Sequence, residues 1–404
     1  MRLIRLVLAV GVLLTALVVF GAGSALAGSD GVYFQTNSEP NNYVQSFVRN
    51  HDGTLDQGPL VATGGSGEDT ASPFAPHGFP LIDSANSVVL SDDGKLLFAV
   101  NAGSDTISSF VVTRHGLELA DQISSHGDLP VSIATTNKGP GRTLVYALNE
   151  WSGNIAGYTA ERDGDLHFIA GSDRPLSIPG PNGAAAMIGF DSKGKTLTVS
   201  QRGAIFDPVT GEPIGTGPDL IDVFLVDHGL AGPAIQHPSV GEDPFGFAYT
   251  KRDQLVMSDS GIFGTATSYG LDTRSGGLTP ISHVETSGRA PCWVVLSKDD
   301  KYAFLTNSLF PPPSISRFRV SRDGALELIG TTQDTNNAAL DEDSSDDGRY
   351  LYVLNTLVVP DGPGHFLFVE TRVDQFRIER NGDLTFLETT DPVPFGGASG
   401  LAAS

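Results

Sequence analysis

Glu150 and Arg202 are the residues of this sequence whose types and spacing most favour chemistry. They occupy equivalent positions, directly after the similar runs LVYALN (144–149) and TLTVSQ (196–201). A carboxylate can act as a general acid or base, and an arginine can bind an anionic group through two parallel hydrogen bonds. The alternative interpretation is a simple ion pair between the two side chains, because surface ion pairs are common.

The equivalence of these positions rests on a strand-like run that recurs seven times, at intervals of about 48 to 64 residues. The copies are VYFQTN (32–37), LLFAVN (96–101), LVYALN (144–149), TLTVSQ (196–201), QLVMSD (254–259), YAFLTN (302–307) and YLYVLN (350–355). The residue after each run is small and neutral in five copies, and it is charged only in two consecutive ones. These residues are Ser38, Ala102, Glu150, Arg202, Ser260, Ser308 and Thr356.

Each run is followed by an alternating segment with a central aromatic residue, and then by a glycine-containing turn and a leucine. The aromatic residues are Phe47, Phe110, Tyr158, Phe224, Tyr269, Phe318 and Phe376. Repeats of this length are typical of β-propeller blades, and alternation is typical of strands with two packed faces. The sequence therefore predicts an all-β fold, a seven-bladed β-propeller with four antiparallel strands in each blade.

The two ends of the chain complement each other. The segment FGGASGLAAS (395–404) resembles a first strand without a second, whereas residues 32–62 supply a second to fourth strand without a first. We therefore predict that the N- and C-terminal strands pair in one blade and close the ring, which removes two sheet edges. The connections from second to third strand and from blade to blade then share one face, which we call the loop-rich face. The long irregular segments belong to it: 59–83, 203–219, 308–313 and 356–370.

Residues 1–27 read as a signal peptide. Two arginines precede an apolar run (residues 6–20), and Ala25 and Ala27 provide the small-residue pattern that signal peptidase recognises. A single anchoring helix is the alternative, because the apolar run approaches the length needed to span a membrane. We predict a secreted protein, extracellular or periplasmic, in which residues 28–404 form the propeller domain.

Charge and composition exclude several functions. The chain has 25 basic and 47 acidic residues and a formal net charge of −22, which disfavours nucleic acid and anionic lipid as partners. Cys292 is the only cysteine, so no internal disulfide is possible, and its apolar context predicts a buried, unreactive thiol. HExxH, GxSxG and P-loop motifs are absent. We expect a monomer with no cofactor, no nucleic-acid partner and no membrane span once the leader is removed.

One acidic run qualifies the expectation about cofactors. The segment DEDSSDD (341–347) stands where other blades have an apolar first strand. Strand alternation places Asp341 and Asp343 on one face of this strand and Glu342 on the other. Two carboxylates beside the axial channel could bind a hard cation such as Ca²⁺ through their oxygens. Solvated charge at a strand end is the alternative.

The blade order carries a family resemblance. Asn149-Glu150 in one blade, followed by Arg202-Gly203 in the next, resembles the β-propeller lactonase family, which includes bacterial 6-phosphogluconolactonases and fungal carboxymuconate lactonizing enzymes. The repeat pattern matches over essentially the whole predicted propeller. In that family the glutamate is implicated in proton transfer at the lactone, and the arginine in binding a carboxylate or phosphate. The resemblance implies these catalytic roles for Glu150 and Arg202, and a small anionic lactone as substrate.

Other family positions differ. Family members carry His-Pro-His where this chain has Ser84-Ala85-Asn86, and an Arg-His pair where it has Leu129-Pro130-Val131. Substitutes could come from the blade-to-blade loops of the same face, where His77, His126 and Arg289 are candidate substrate-binding residues. Each of them could also be an ordinary exposed loop residue.

Two hypotheses of function stay open at this point. The first is a secreted lactonase-like propeller that hydrolyses or forms a small anionic lactone. The second is a non-catalytic propeller that binds a protein or polysaccharide at the cell surface, since YVTN-type proteins share this repeat and often lack a catalytic set. The differing family positions favour the second hypothesis, and the pairing of Glu150 with Arg202 favours the first.

Overall fold

The computed structural model describes residues 30–68, 82–180, 183–206, 213–261, 263–308, 313–333, 338–360 and 366–404. Within these residues the chain forms seven antiparallel sheets and one small hairpin, with a single short 3-10 turn at Ala102–Ser104. Each sheet is a blade, and the inner strand of every blade contacts the inner strands of both neighbouring blades. The blades therefore form a ring, and the predicted seven-bladed β-propeller is confirmed.

Each blade has an inner, a second, a third and an outer strand, and blades are numbered from the N-terminus. From blade 1 to blade 7, the inner strands are Ser399–Ala403, Val88–Leu90, Pro130–Asn137, Ala185–Phe190, Pro244–Tyr249, Pro291–Leu296 and Ala338–Ser344. The second strands are Gly31–Gln35, Leu96–Asn101, Arg142–Asn149, Thr196–Gln201, Gln254–Asp259, Tyr302–Asn307 and Tyr350–Pro360. The third strands are Tyr43–Arg49, Thr106–Thr113, Asn154–Glu161, Leu220–Asp227, Thr265–Asp272, Ser314–Val320 and Phe366–Ile378. The outer strands are Leu55–Ala62, Gly116–Ser124, Leu166–Phe168 with Arg174–Pro175, Leu230–Ala231 with Ile235–Pro238, Gly277–Glu285, Leu326–Gln333 and Leu384–Thr389.

The turns from inner to second strand show why the sequence reverses where it does. In blade 2 the Asp93 carboxylate accepts hydrogen bonds from the Ser91 hydroxyl at 2.9 Å and from the Lys95 amide at 3.2 Å. Gly94 between them has φ +66°, a left-handed conformation that glycine adopts without steric cost. An aspartate that bonds its own backbone two residues on is the common device of such turns. Ser297 and Ser345 start the equivalent turns of blades 6 and 7.

The core lies between the blades. The seven aromatic residues predicted at the centres of the third strands all lie in those strands, and each is at most 1% exposed. Neighbouring blades pack face to face across them. Burying an aromatic side chain removes a large apolar area from water, so the repeated aromatic position stabilises each blade interface in the same way.

The last strand of the chain closes the ring. Ser399–Ala403 is the inner strand of blade 1 and pairs antiparallel with Gly31–Gln35, with Val32 opposite Ala403. The backbone amide of Ser404 donates to the Gly31 carbonyl at 3.0 Å. Arg49, whose side chain is 6% exposed, donates to the Ser404 carbonyl at 3.1 Å. The predicted closure by N- and C-terminal strands is therefore confirmed.

The outer strands of blades 3 and 4 are each split into two pieces, β-strand segments that pair with the same third strand. In blade 3 the break contains Gly171, whose φ is +79°. In blade 4 it contains Pro233, which has no amide to donate to the ladder. The extra hairpin, Ala204–Phe206 with Pro213–Thr216, extends the loop-rich face after Arg202. None of the described residues forms a helix long and apolar enough to cross a membrane.

We predict that deletion of residues 394–404 sharply lowers the melting temperature, because it removes an inner strand and leaves two sheet edges unpaired. Calorimetry of the purified domain measures the effect. Leu401→Ala provides a graded comparison: Leu401 is 4% exposed, so the variant should lose about 2–5 kcal/mol of unfolding free energy. An unchanged melting temperature in the deletion variant would contradict closure by this strand.

Candidate active site

Glu150 and Arg202 lie side by side on the loop-rich face because each directly follows the second strand of its blade, and blades 3 and 4 are neighbours. Their backbones are fixed to the ends of the adjoining inner strands. The Glu150 amide donates to the Leu129 carbonyl at 2.9 Å, and the Arg202 amide donates to the Ala184 carbonyl at 3.4 Å. Both side chains are largely buried, with 18% and 13% exposed. The rigid sheets thus determine where the two charges meet.

The Arg202 guanidinium lies 3.8 Å from the Glu150 carboxylate, measured from Nη2 to Oε1. A closer partner is Asp83, whose carboxylate accepts a hydrogen bond from Arg202 Nη1. Arg202 Nη2 also donates to the Asp83 carbonyl at 3.2 Å, and Nε donates to the Ala184 carbonyl at 3.0 Å. The guanidinium lies over the Phe245 ring at 5.1 Å from its centroid. Each nitrogen of the guanidinium therefore already has a protein partner.

Burial raises the pKa of Glu150 to about 7, with the Arg202 charge acting in the opposite direction and Asp83 adding to the increase. Taking a carboxylate out of water disfavours its charged form, and a neighbouring cation restores part of that loss. A carboxyl group that titrates near neutral pH can both accept and donate a proton at that pH. The raised pKa of Glu150 is compatible with the acid–base role expected from the sequence, and that role stays a prediction.

Three further carboxyl groups lie near this pair, a fourth, Asp219, lies near Asp243, and the sequence comparison of strand ends missed all four. They are Glu68, Asp83, Asp219 and Asp243. Burial is the main cause that raises the pKa of Glu68 to about 8 and that of Asp219 to about 6. All four lie in connections on the loop-rich face. The one sequence feature that could have predicted them as site residues is their acidic side chain in such a connection. The sequence does not show which connections fold over the site.

The three predicted substrate-binding residues lie in different places. His77 lies outside the described residues. His126 stacks on Phe168 of the outer strand of blade 3, with ring centroids 3.6 Å apart, which places it at the outside of the blade rather than with Glu150. Arg289 is exposed in the connection that leads into blade 6. Their predicted binding roles stay predictions.

Asp341 and Asp343 point to the inner strand of blade 1. Asp341 Oδ2 accepts from the Leu401 amide at 3.2 Å, and Asp343 Oδ2 accepts from the Ala403 amide at 2.8 Å. Both residues line an axial cavity of about 630 Å³ that includes neither Glu150 nor Arg202 in its walls. Over the described ranges, no group of three or more His, Cys, Asp or Glu residues could hold a metal ion. Calcium binding by these two residues stays a prediction, whereas their contact with the closing strand is observed.

The cysteine prediction agrees with the structure. Cys292 is a free, buried thiol, and burial raises its pKa to about 12. Since the thiolate is the reactive form, this environment makes Cys292 a poor nucleophile.

Ser84, one of the positions that differ from the family pattern, has structural contacts. The Ser84 hydroxyl donates to the Val131 carbonyl at 2.7 Å, and the Ser84 carbonyl accepts from Trp293 Nε1 at 3.3 Å.

These features define the class of protein: a seven-bladed β-propeller with a largely buried glutamate–arginine pair on its loop-rich face. The chain belongs to the family described as "Lactonase, 7-bladed beta-propeller", whose pattern matches residues 27–173 and 139–285. The resemblance drawn from Asn149-Glu150 and Arg202-Gly203 is therefore confirmed at the level of the family. No curated protein matches the sequence significantly.

Solved structures with the same fold cover nearly the whole chain. A Bacteroides uniformis protein, provisionally described as a 6-phosphogluconolactonase, is 17% identical with a TM-score of 0.64, covering 93% of this chain and 99% of its own. The Pseudomonas aeruginosa periplasmic gluconolactonase PpgL is 15% identical with a TM-score of 0.60, covering 92% and 98%. A Lactobacillus plantarum protein is 17% identical with a TM-score of 0.66, covering 92% and 98%. At these identities the likeness shows the shared fold.

We predict that Asp343→Asn flattens the dependence of stability on pH. Burial raises the pKa of Asp343 from an ordinary 3.8 to about 7, so the folded state holds the proton more tightly than the unfolded state. This contribution is complete below pH 4 and is lost as the pH rises towards about 7. Melting temperatures measured across that range should fall less in Asp343→Asn than in the wild type. Asp165→Asn, at an exposed turn, is the control, and identical slopes in all three proteins would contradict the prediction.

Proposed function

We propose that this protein hydrolyses lactones at the loop-rich face, with Glu150 as the residue that moves protons. The observation that carries the proposal is the largely buried Glu150 carboxyl, with its pKa raised to about 7, at 3.8 Å from Arg202. Membership of the lactonase family supports the same reaction class. A general acid or base is most effective when its pKa is near the working pH, and Glu150 meets that condition.

In this mechanism the Glu150 carboxylate takes a proton from a water molecule as the water attacks the lactone carbonyl. The Arg202 charge favours the ionised form of Glu150 against the effect of burial, so a useful fraction of the base is present near neutral pH. The contacts of Arg202 with Asp83, Ala184 and Phe245 hold the guanidinium in place. Arg202 thus acts through Glu150 and is a positioning residue in this proposal.

The geometry of Arg202 favours an uncharged lactone over the anionic one expected from the family resemblance. An anionic substrate group would have to displace Asp83 from the guanidinium. It would also approach Glu150 and Asp243, whose carboxylates add negative charge around Arg202. Like charges in a partly buried site repel strongly, because solvent screening is weak there. We therefore propose an uncharged lactone as the preferred substrate.

We also propose that the protein is exported. The support is the leader-like composition of residues 1–27, with two arginines before an apolar run and small residues at Ala25 and Ala27. The strongly acidic composition is compatible with solubility outside the cell. Export would place the loop-rich face in contact with extracellular or periplasmic lactones.

Glu150→Gln should lower kcat/KM for lactone hydrolysis by about 10²-fold or more, because the amide cannot accept the proton from water. Acid release from a panel of lactones, corrected for spontaneous hydrolysis, measures the effect. The wild-type rate should rise with pH through about 7, since the base is the ionised form of Glu150. Glu118→Gln, at an exposed position of an outer strand, is the matched control. Equal rates for wild type and Glu150→Gln would reject the role of Glu150, and a wild-type rate no higher than spontaneous hydrolysis would leave the ligand-binding alternative.

The proposed substrate charge has its own test. Wild type should have a higher kcat/KM for an uncharged aldonolactone than for the same lactone carrying a phosphate. Asp83→Asn should reduce this preference, because the variant removes one negative charge beside the guanidinium. Asp165→Asn should leave the ratio unchanged. A wild-type preference of tenfold or more for the phosphorylated lactone would refute an uncharged substrate.

A further inference from the structure

Glu68 is a second carboxyl group near the candidate active site, and it has no role in the mechanism proposed for Glu150. It lies after the outer strand of blade 1, in the connection towards blade 2, and is only 7% exposed. Within the described part of the chain, no hydrogen bond or ion pair is formed by its carboxyl group, and its backbone amide donates to Asn37 Oδ1 at 2.9 Å. A buried carboxyl without a partner is costly, so such a group in a site suggests a functional reason for its presence.

The backbone conformation of the preceding segment fixes the position of Glu68. A Cβ added to Gly65 would lie 2.4 Å from Asn101 Cγ, and one added to Gly67 would lie 2.2 Å from the Asn37 carbonyl carbon. The Gly67 amide also donates to the Ser38 carbonyl at 3.0 Å. These close approaches require glycine, and they fix the segment between blades 1 and 2. Glu68 is therefore held by the scaffold, directly at the end of this segment.

Glu68 lies within electrostatic range of the candidate active site. Burial is the largest cause that raises its pKa to about 8, and the charges of Glu150 and then Asp83 add to the increase. Arg202 is the cation of the group, and Asp243 is the remaining acid beside it. The surroundings of the two carboxyl groups differ: the Arg202 guanidinium lies 3.8 Å from Glu150, whereas no cation contacts the Glu68 carboxyl within the described part of the chain. A cation beside one of two buried carboxyl groups favours the ionised form of that group, so Glu150 ionises while Glu68 keeps its proton.

We propose that Glu68 is the general acid of the lactonase reaction and that it protonates the ring oxygen as that oxygen leaves. This inference rests on the proposed function of Glu150. It assigns the two proton transfers of one hydrolysis to two carboxyl groups from different blades. Glu150 serves the attacking water, and Glu68 serves the leaving alcohol.

The proton balance closes. Glu150 accepts one proton from water as the new carbon–oxygen bond forms, and Glu68 gives one proton to the ring oxygen as the carbon–oxygen bond of the ester breaks. The product is a hydroxy acid. Transfer of a proton from Glu150 to Glu68, directly or through solvent, then restores the starting state. The product carboxyl ionises and releases one proton to solvent, as hydrolysis of an ester near neutral pH requires.

The pH profile of kcat/KM for gluconolactone tests the assignment. Wild type should give a bell-shaped profile whose two apparent pKa values belong to the Glu68–Glu150 pair. Glu68→Gln should lower the rate by about 10²-fold and remove the decrease at alkaline pH, because the variant has no proton to donate. Glu150→Gln should remove the increase at acid pH, whereas Glu118→Gln should behave as wild type. Melting temperatures establish that each variant is folded.

The outcomes separate this inference from the proposed function. A Glu68→Gln enzyme with wild-type rate and an intact alkaline limb would overturn the role of Glu68 alone, provided that Glu150→Gln is inactive. Wild-type protein that hydrolyses no lactone overturns both. A readout independent of activity is the titration of carbon-13-labelled glutamate carboxyls by NMR. Glu150→Gln should lower the pKa of Glu68 because one repelling charge is gone, and an unchanged pKa would refute the pairing.

Discussion

Pairing between the two ends of the chain is the constraint on which the rest of the structure depends. A sheet blade stays in place only because its faces are covered by two neighbours, so a ring of blades needs a last blade that joins the first. Here Ser399–Ala403 completes the sheet begun by Gly31–Gln35. Asp341 and Asp343 then bind the backbone of this closing strand from blade 7. The closure thus includes both main-chain pairing and side-chain contacts.

The ring also explains the chemistry of the loop-rich face. Every second strand ends there, so residues that are about fifty positions apart in sequence become neighbours. Glu150 and Arg202 meet in this way, and the connections between blades then cover them. Burial under these connections shifts the pKa values of the carboxyl groups. Removal from water raises the pKa of Glu150 and of Glu68, while the Arg202 guanidinium limits the increase for Glu150. A site that titrates near neutral pH is thus a consequence of a closed, stacked architecture.

The sequence predicted the parts of the site that belong to strands better than those that belong to connections. Glu150 and Arg202 were predicted because they interrupt a repeated position that is otherwise neutral. Glu68 and Asp83 were missed, since no repeat constrains the connections in which they lie. The ring of His126 stacks on Phe168, a contact that the sequence pattern does not show. A repeat determines strand ends, whereas the path of a long connection depends on what it packs against.

By itself, the sequence determined the all-β propeller, its number of blades, the pairing of its two ends and the adjacency of Glu150 and Arg202. These features follow from periodic patterns, and a pattern with a period of one blade places equivalent residues in register whatever the details of packing. Only the tertiary structure decided that Asp83 is the nearer partner of Arg202, that Glu68 is buried beside Glu150, and that Asp341 and Asp343 contact the closing strand. Burial and the neighbouring charges of other blades set these properties, and both arise only when the ring is closed.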